Sequence, residues 1–74
     1  MYVLRKMQQV DQKKQWGKEP LLVSRDFNRV QQEMEIIAGN NVSELRYRIT
    51  ESSATHIRLL NEAGTMLLFY IKEV

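Results

Sequence analysis

The chain has 74 residues, 43% hydrophobic and 27% charged, with eleven Lys and Arg against nine Asp and Glu for a formal net charge of +2. That length leaves room for one domain, residues 1–74, which buries only about 60–65% of its unfolded surface, a margin that self-association often supplements. There is no cysteine for a disulfide or thiolate metal site, no run of about 18 apolar residues and no signal-peptide core, so a cytoplasmic protein without membrane contact is expected; the small excess of +2 does not by itself establish nucleic-acid binding.

Residues 1–10 hold Tyr2, Val3, Leu4, Met7 and Val10. These suit a strand beginning at the second residue, or a helix with Val3, Met7 and Val10 on one side, and the strand is preferred. Residues 11–20 form a polar connection closed by Gly17 and Pro20, and Leu21-Leu22-Val23 is a short apolar lead-in to a helix. Trp16, flanked by Lys13, Lys14 and Lys18, can stack on a base or sugar, although a lone Trp in a small protein more often plugs the edge of a core or an interface.

The helix is expected over residues 25–38. Phe27, Val30, Met34 and Ile37 recur there at spacings of three and four, while Arg25, Arg29, Gln32, Glu33 and Glu35 take other positions. Ser24 can serve as N-cap, Asp26 suits the positive end of the dipole, and Gly39 followed by Asn40-Asn41 supplies a left-handed termination. The stripe is too short for a coiled-coil seam and so packs on a sheet.

Residues 44–50 alternate strictly, with Leu45, Tyr47 and Ile49 on one side of a strand and Arg46 and Arg48 on the other. Residues 55–60 place Ile57 and Leu59 opposite in sense to His56 and Arg58. A three-residue loop, Ser52-Ser53-Ala54, sets Ile49 against Ile57 and Tyr47 against Leu59, so that the apolar faces coincide. Arg48 then lies opposite Arg58, which costs stability unless solvent, Glu44, Glu51 or a bound anion relieves it. Asn61 and Thr65 close the loop Glu62-Ala63-Gly64, whose last residue is the glycine that a type I turn followed by a left-handed residue requires. Residues 65–72 are apolar on both faces, as in an interior strand. Leu67 and Phe69 there face Leu59 and Ile57, and on the reverse side Met66, Leu68 and Tyr70 meet Leu60, Arg58 and His56.

The order is β-α-β-β-β: an α+β domain with one amphipathic helix packed on a mostly antiparallel sheet. Phe27, Val30, Met34 and Ile37 are expected to form its core with Leu45, Tyr47, Ile49, Ile57, Leu59, Leu67, Phe69 and Ile71.

Catalysis finds little material. There is one His, no Cys and no nucleophile elbow, and neither His-x-x-x-His nor Cys-x-x-Cys occurs. Gly17, Gly39 and Gly64 are too far apart for a phosphate-cradling loop, and Glu33 and Glu35 point about 200° apart on a helix. No catalytic residue, cofactor or metal ligand is expected. The candidate site is the outward face of the sheet. Arg46, Arg48 and Arg58, with His56, Tyr70 and Lys72 at the margins, offer donors for phosphate or carboxylate, although arginine stems also commonly just cover a sheet. Leu60, Met66, Leu68 and Tyr70 offer an apolar patch to a second copy or another protein. The expectation is a small non-catalytic binding or regulatory protein, working through this face or a strand edge as a homo-oligomer that contacts a protein partner. Nucleic-acid or nucleotide binding is the first alternative, and a small enzyme built from scattered residues the second.

Overall fold

A computed structural model describes all 74 residues. Strand β1 (Tyr2–Val10) is followed by β2 (Lys13–Trp16) and β3 (Leu22–Ser24), then helix α1 (Phe27–Leu45), and then β4 (Arg48–Ser52), β5 (His56–Leu60) and β6 (Met66–Glu73). All pairings are antiparallel. The sheet runs β2-β1-β6-β5-β4, with β3 beside the opening residues of β1 on the edge it shares with β2. This is the expected α+β architecture, one helix on an antiparallel sheet. The two short strands β2 and β3 are additional, and they lie in the stretch that reads as a polar connection and lead-in. Neither carries enough apolar alternation to announce itself; main-chain pairing with β1 defines them. No helix is long and apolar enough to cross a membrane.

The core lies between α1 and the middle of the sheet. Leu4, Ile57, Leu59, Leu67 and Phe69 meet Val30, Met34 and Ala38, with Tyr2, Leu22, Ile37, Tyr47 and Ile71 at the margin. Phe27 stands edge-on to Tyr2 at a centroid distance of 5.2 Å. The β5–β6 hairpin has the register that alternation implies, with Ile57 opposite Phe69 and Leu59 opposite Leu67. Its turn is closed by the Asn61 N–H donating to the Thr65 carbonyl at 3.1 Å and by the Thr65 N–H donating to Asn61 Oδ1 at 2.8 Å. Gly64 takes the left-handed conformation there, at φ 85.

Three expectations are corrected. The N-cap is Asp26, whose Oδ1 accepts from the Asn28 N–H at 3.0 Å, while Ser24 Oγ accepts from the Asp26 N–H. The helix also does not stop at Gly39 but continues to Leu45, where Arg46 takes the left-handed cap conformation at φ 58. Topology requires this length. α1 must carry the chain from the end of the sheet where β3 finishes to the opposite end, where β4 begins. β1 and β6 pair over eight residues, about 27 Å at strand rise. Nineteen helical residues cover about 28 Å, whereas fourteen reach only about 21 Å.

The third correction concerns β4. Leu45 ends the helix, 61% exposed, and is not in the core. Ile49 keeps its expected side of the sheet but pairs with Leu59 and not Ile57. It is 50% exposed because β4 is the edge strand, beyond the helix's cover. An irregularity between Ile49 and Glu51 then sets Glu51 opposite Arg58, so Arg48 opposes Leu60 instead of Arg58. Thr50 Oγ1 donates to the Arg58 carbonyl at 3.3 Å across this bulge.

Phe69 is 1% exposed at the centre of the core, so Phe69→Ala is expected to cost about 3–5 kcal/mol. Leu45→Ser should fall within about 0.5 kcal/mol of wild type, as a solvent-facing change does. Urea denaturation midpoints distinguish the two; a comparable loss for Leu45→Ser would put that side chain in the core after all.

Candidate functional site

Because α1 covers one side of the sheet, the other side is bare, and the registers fix what it displays. One row across the strands reads Trp16, Met7, Leu68, Arg58, Glu51. Beside it runs Lys14, Gln9, Met66, Leu60, Arg48. On its other flank come Arg5, Tyr70, His56 and then Val23, Val3, Lys72. Val3 and Met7 are buried although they face away from the helix, so their neighbours on this face close over them. Trp16, itself 57% exposed, stands edge-on to Tyr70 at 5.9 Å between ring centroids. Two shallow hollows flank the Trp16–Leu68–Arg58 row. One, about 540 Å³, lies toward Lys14, Leu60 and Met66, and the other, about 440 Å³, toward His56, Tyr70 and Glu51. Trp16, Arg58 and Leu68 line both, which makes them one open trough.

Glu51 organises the polar end of the trough. Its Oε2 lies 3.1 Å from an Arg58 guanidinium nitrogen and its Oε1 2.9 Å from His56 Nε2. Ser53 Oγ accepts the backbone N–H groups of Thr55 and His56, each at 3.2 Å, and lies 2.8 Å from His56 Nδ1. With its lone pairs so occupied, the Ser53 hydroxyl donates to Nδ1, leaving Nε2–H to donate to Glu51. The hydrogen bond from His56, and after it the Arg58 charge, hold the Glu51 carboxyl below its usual range.

Of the residues expected at the site, Arg48, Arg58, His56, Tyr70, Lys72, Leu60, Met66 and Leu68 share this face. Arg46 does not, because it is the left-handed cap of α1 and not a strand residue. Sequence reasoning missed Arg5, Val3 and Met7 at this face, and it offered Trp16 beside Lys14 as a stacking residue in a loop without placing either on the sheet. The one available signal was the spacing of Lys14 and Trp16, which puts both on the same side of a strand. The hairpin that delivers them turns through Asp11 and Gln12 with Asp11 at φ 56, and lacks the Asn-Gly or Asp-Gly pair that marks such loops.

Charge is segregated between the two layers. Strand positions on the helix-free face carry Arg5, Lys14, Arg48, Arg58 and Lys72 against Glu51, five cations to one carboxylate, or +4. Within α1, Arg29 stands against Glu33, Glu35 and Glu44, one cation to three carboxylates, or −2. No group of three or more His, Cys, Asp or Glu is placed to hold a metal ion. Compared with known proteins, the chain matches no protein-family model, no curated protein and no solved structure.

The lowered Glu51 value has a consequence for stability. A carboxyl that ionises more readily folded than unfolded contributes fully above its ordinary value of 4.5 and loses that contribution as pH falls through the folded value. Wild type is therefore expected to be slightly more stable than Glu51→Gln at neutral pH, with the gap closing in acid. Thermal melts of both proteins across the acid range check this; a gap that persisted in strong acid would mean that the Glu51 charge is not its source.

Proposed function

We propose that the chain is a small non-catalytic binding protein whose working surface is the helix-free face of its sheet and whose partner carries negative charge. The observation that carries this reading is the gathering of Arg5, Lys14, Arg48, Arg58 and Lys72 at strand positions of that face against the one strand carboxylate Glu51, with Asp11 of the β1–β2 turn at the rim of the trough. Like charges held together on a folded surface repel unless something answers them, and Glu51 answers only Arg58 and His56. Arg48 and Arg58 can each present two parallel N–H donors to a carboxylate or phosphate. Leu60, Met66 and Leu68, partly exposed between the cations, reward a partner that also covers apolar surface. His56 has both ring nitrogens engaged, by Ser53 and Glu51, which favours a structural part over a general-base role.

A homo-oligomer draws less support from this geometry. Two copies stacked through the same face would set +4 against +4. The open β4 edge is bulged at Thr50 and carries Arg48 and Glu51, features that blunt strand-to-strand pairing. A protein partner fits the face if the segment it offers is acidic.

The test compares two triple variants of equal net charge on a heparin column. Arg5→Glu with Arg58→Glu and Lys72→Glu reverses the face; Lys13→Glu with Lys18→Glu and Arg25→Glu reverses charges elsewhere. The first is expected to elute at about half the salt of wild type or less, because counterion release scales with the cations engaged, and the second close to wild type. Equal losses from both would reduce the effect to net charge and remove the proposed surface.

A further inference from the structure

We infer that the partner of the helix-free face is a single-stranded nucleic acid, with bases stacked on Trp16 and Tyr70 and phosphates held by the cations around them. This rests on the anionic-partner reading above and goes further in naming the chemistry. The decisive addition is Trp16. Its place opposite Met7 on β1 brings a second aromatic ring onto a face that sequence alone supplied with one, and at 57% exposure the indole is available for stacking.

Three features converge on unpaired bases. The Trp16–Tyr70 pair is perpendicular, at 87°, so the rings present surfaces in two directions and do not consume each other by stacking; aromatic rings accept any base because every base has a π face. The trough continues from this pair along Leu68 to Arg58, which sets an apolar floor between the stacking end and a guanidinium. Five strands cover about 19 Å at their usual spacing, enough for a few nucleotides of a backbone-tracking groove. A duplex keeps its bases inside and shows a groove only phosphates and base edges, leaving the aromatic pair and the apolar floor without a use. An acidic peptide would answer the arginines but leave the exposed ring pair unexplained.

Trp16 is the chain's single tryptophan, so its fluorescence reports on the proposed contact directly. Full-length protein is titrated with short oligo(dT) and oligo(U), a DNA duplex of equal length, linear polyphosphate and a poly-Glu peptide. Saturable quenching by either single strand, weakening with salt, is expected, with little response to the duplex. Labelled-oligonucleotide anisotropy then reads the variants: Trp16→Ala is expected to weaken binding about 5- to 150-fold, the range for loss of one stacked base, and Trp16→Phe to restore most of it. Should Trp16→Ala not fold by circular dichroism, Trp16→Phe against Trp16→Leu makes the same comparison. Polyphosphate, duplex or poly-Glu binding as tightly as the single strands, or affinity indifferent to the residue at 16, overturns the single-strand stacking assignment while leaving an anionic partner standing. Failure of every polyanion removes both.

Discussion

A single helix cannot cover both faces of a sheet, nor the full width of one. With side chains an α-helix is about 10–12 Å across, whereas five strands span about 19 Å. α1 therefore shields the central strands β1, β6 and β5 and leaves the flanks uncovered. That mismatch accounts for the pattern of burial: β2 and β4, at the two ends of the sheet, are exposed throughout, while Leu4, Leu59, Leu67 and Phe69 beneath the helix are buried. It also leaves the reverse side of β6, with Met66, Leu68 and Tyr70, half covered by its own neighbours alone. The bare face of this protein is in that sense a consequence of how little chain there is to cover it.

The bulge at Thr50 decides what that surface carries. Continued without a break from the pair Ile49–Leu59, regular pairing would set Glu51 opposite Ile57, on the apolar side facing the helix. The extra residue turns Glu51 over to the other face and sets it beside Arg58 and His56, a re-aiming that bulges commonly perform. The gain is double, because a carboxylate leaves the margin of the core and an arginine acquires a partner. The remaining cations on the face acquire none from the strands, and so the charge imbalance persists after the fold has compensated where it can.

Legibility followed the strength of the local pattern. The β5–β6 hairpin was readable to the residue, because strict alternation on both strands meets a turn in which Gly64 occupies the one left-handed position. The start of α1 was readable to within two residues, but its end was not. Gly39-Asn40-Asn41 has the composition of a stop, yet a Cβ at Gly39 would meet nothing within 4 Å, and the geometric demand to reach β4 outweighs the local preference of about 1 kcal/mol against a mid-helix glycine. The alternation of Leu45, Tyr47 and Ile49 was a coincidence of period across a helix cap, since Arg46 reverses the chain direction between the first two. At the site, residues on β5 and β6 were legible because those strands were. Trp16 was legible as a stacking candidate but not in its place, because Lys13–Trp16 is an edge strand with four exposed residues whose position is set by pairing to β1.

The placement of Trp16 depends on a close approach of two backbones. Directly after it, the Gly17 N–H donates to the Lys6 carbonyl at 2.9 Å, which extends the β1–β2 pairing one step past the last strand residue. A Cβ at Gly17 would come within 3.1 Å of that same carbonyl oxygen, tighter than ordinary contact, so a side chain there would press β2 away from β1 at the point where the indole is held. Glycine at this position thus serves the close pairing of β2 with β1 and not a turn: it lets the edge strand lie close enough for Trp16 to reach across Met7 to Tyr70. Because β2 is held by main-chain hydrogen bonds and the Trp16–Tyr70 contact, a partner stacked on Trp16 would also hold the hairpin in register, and binding and local order on this edge would then be coupled through one side chain.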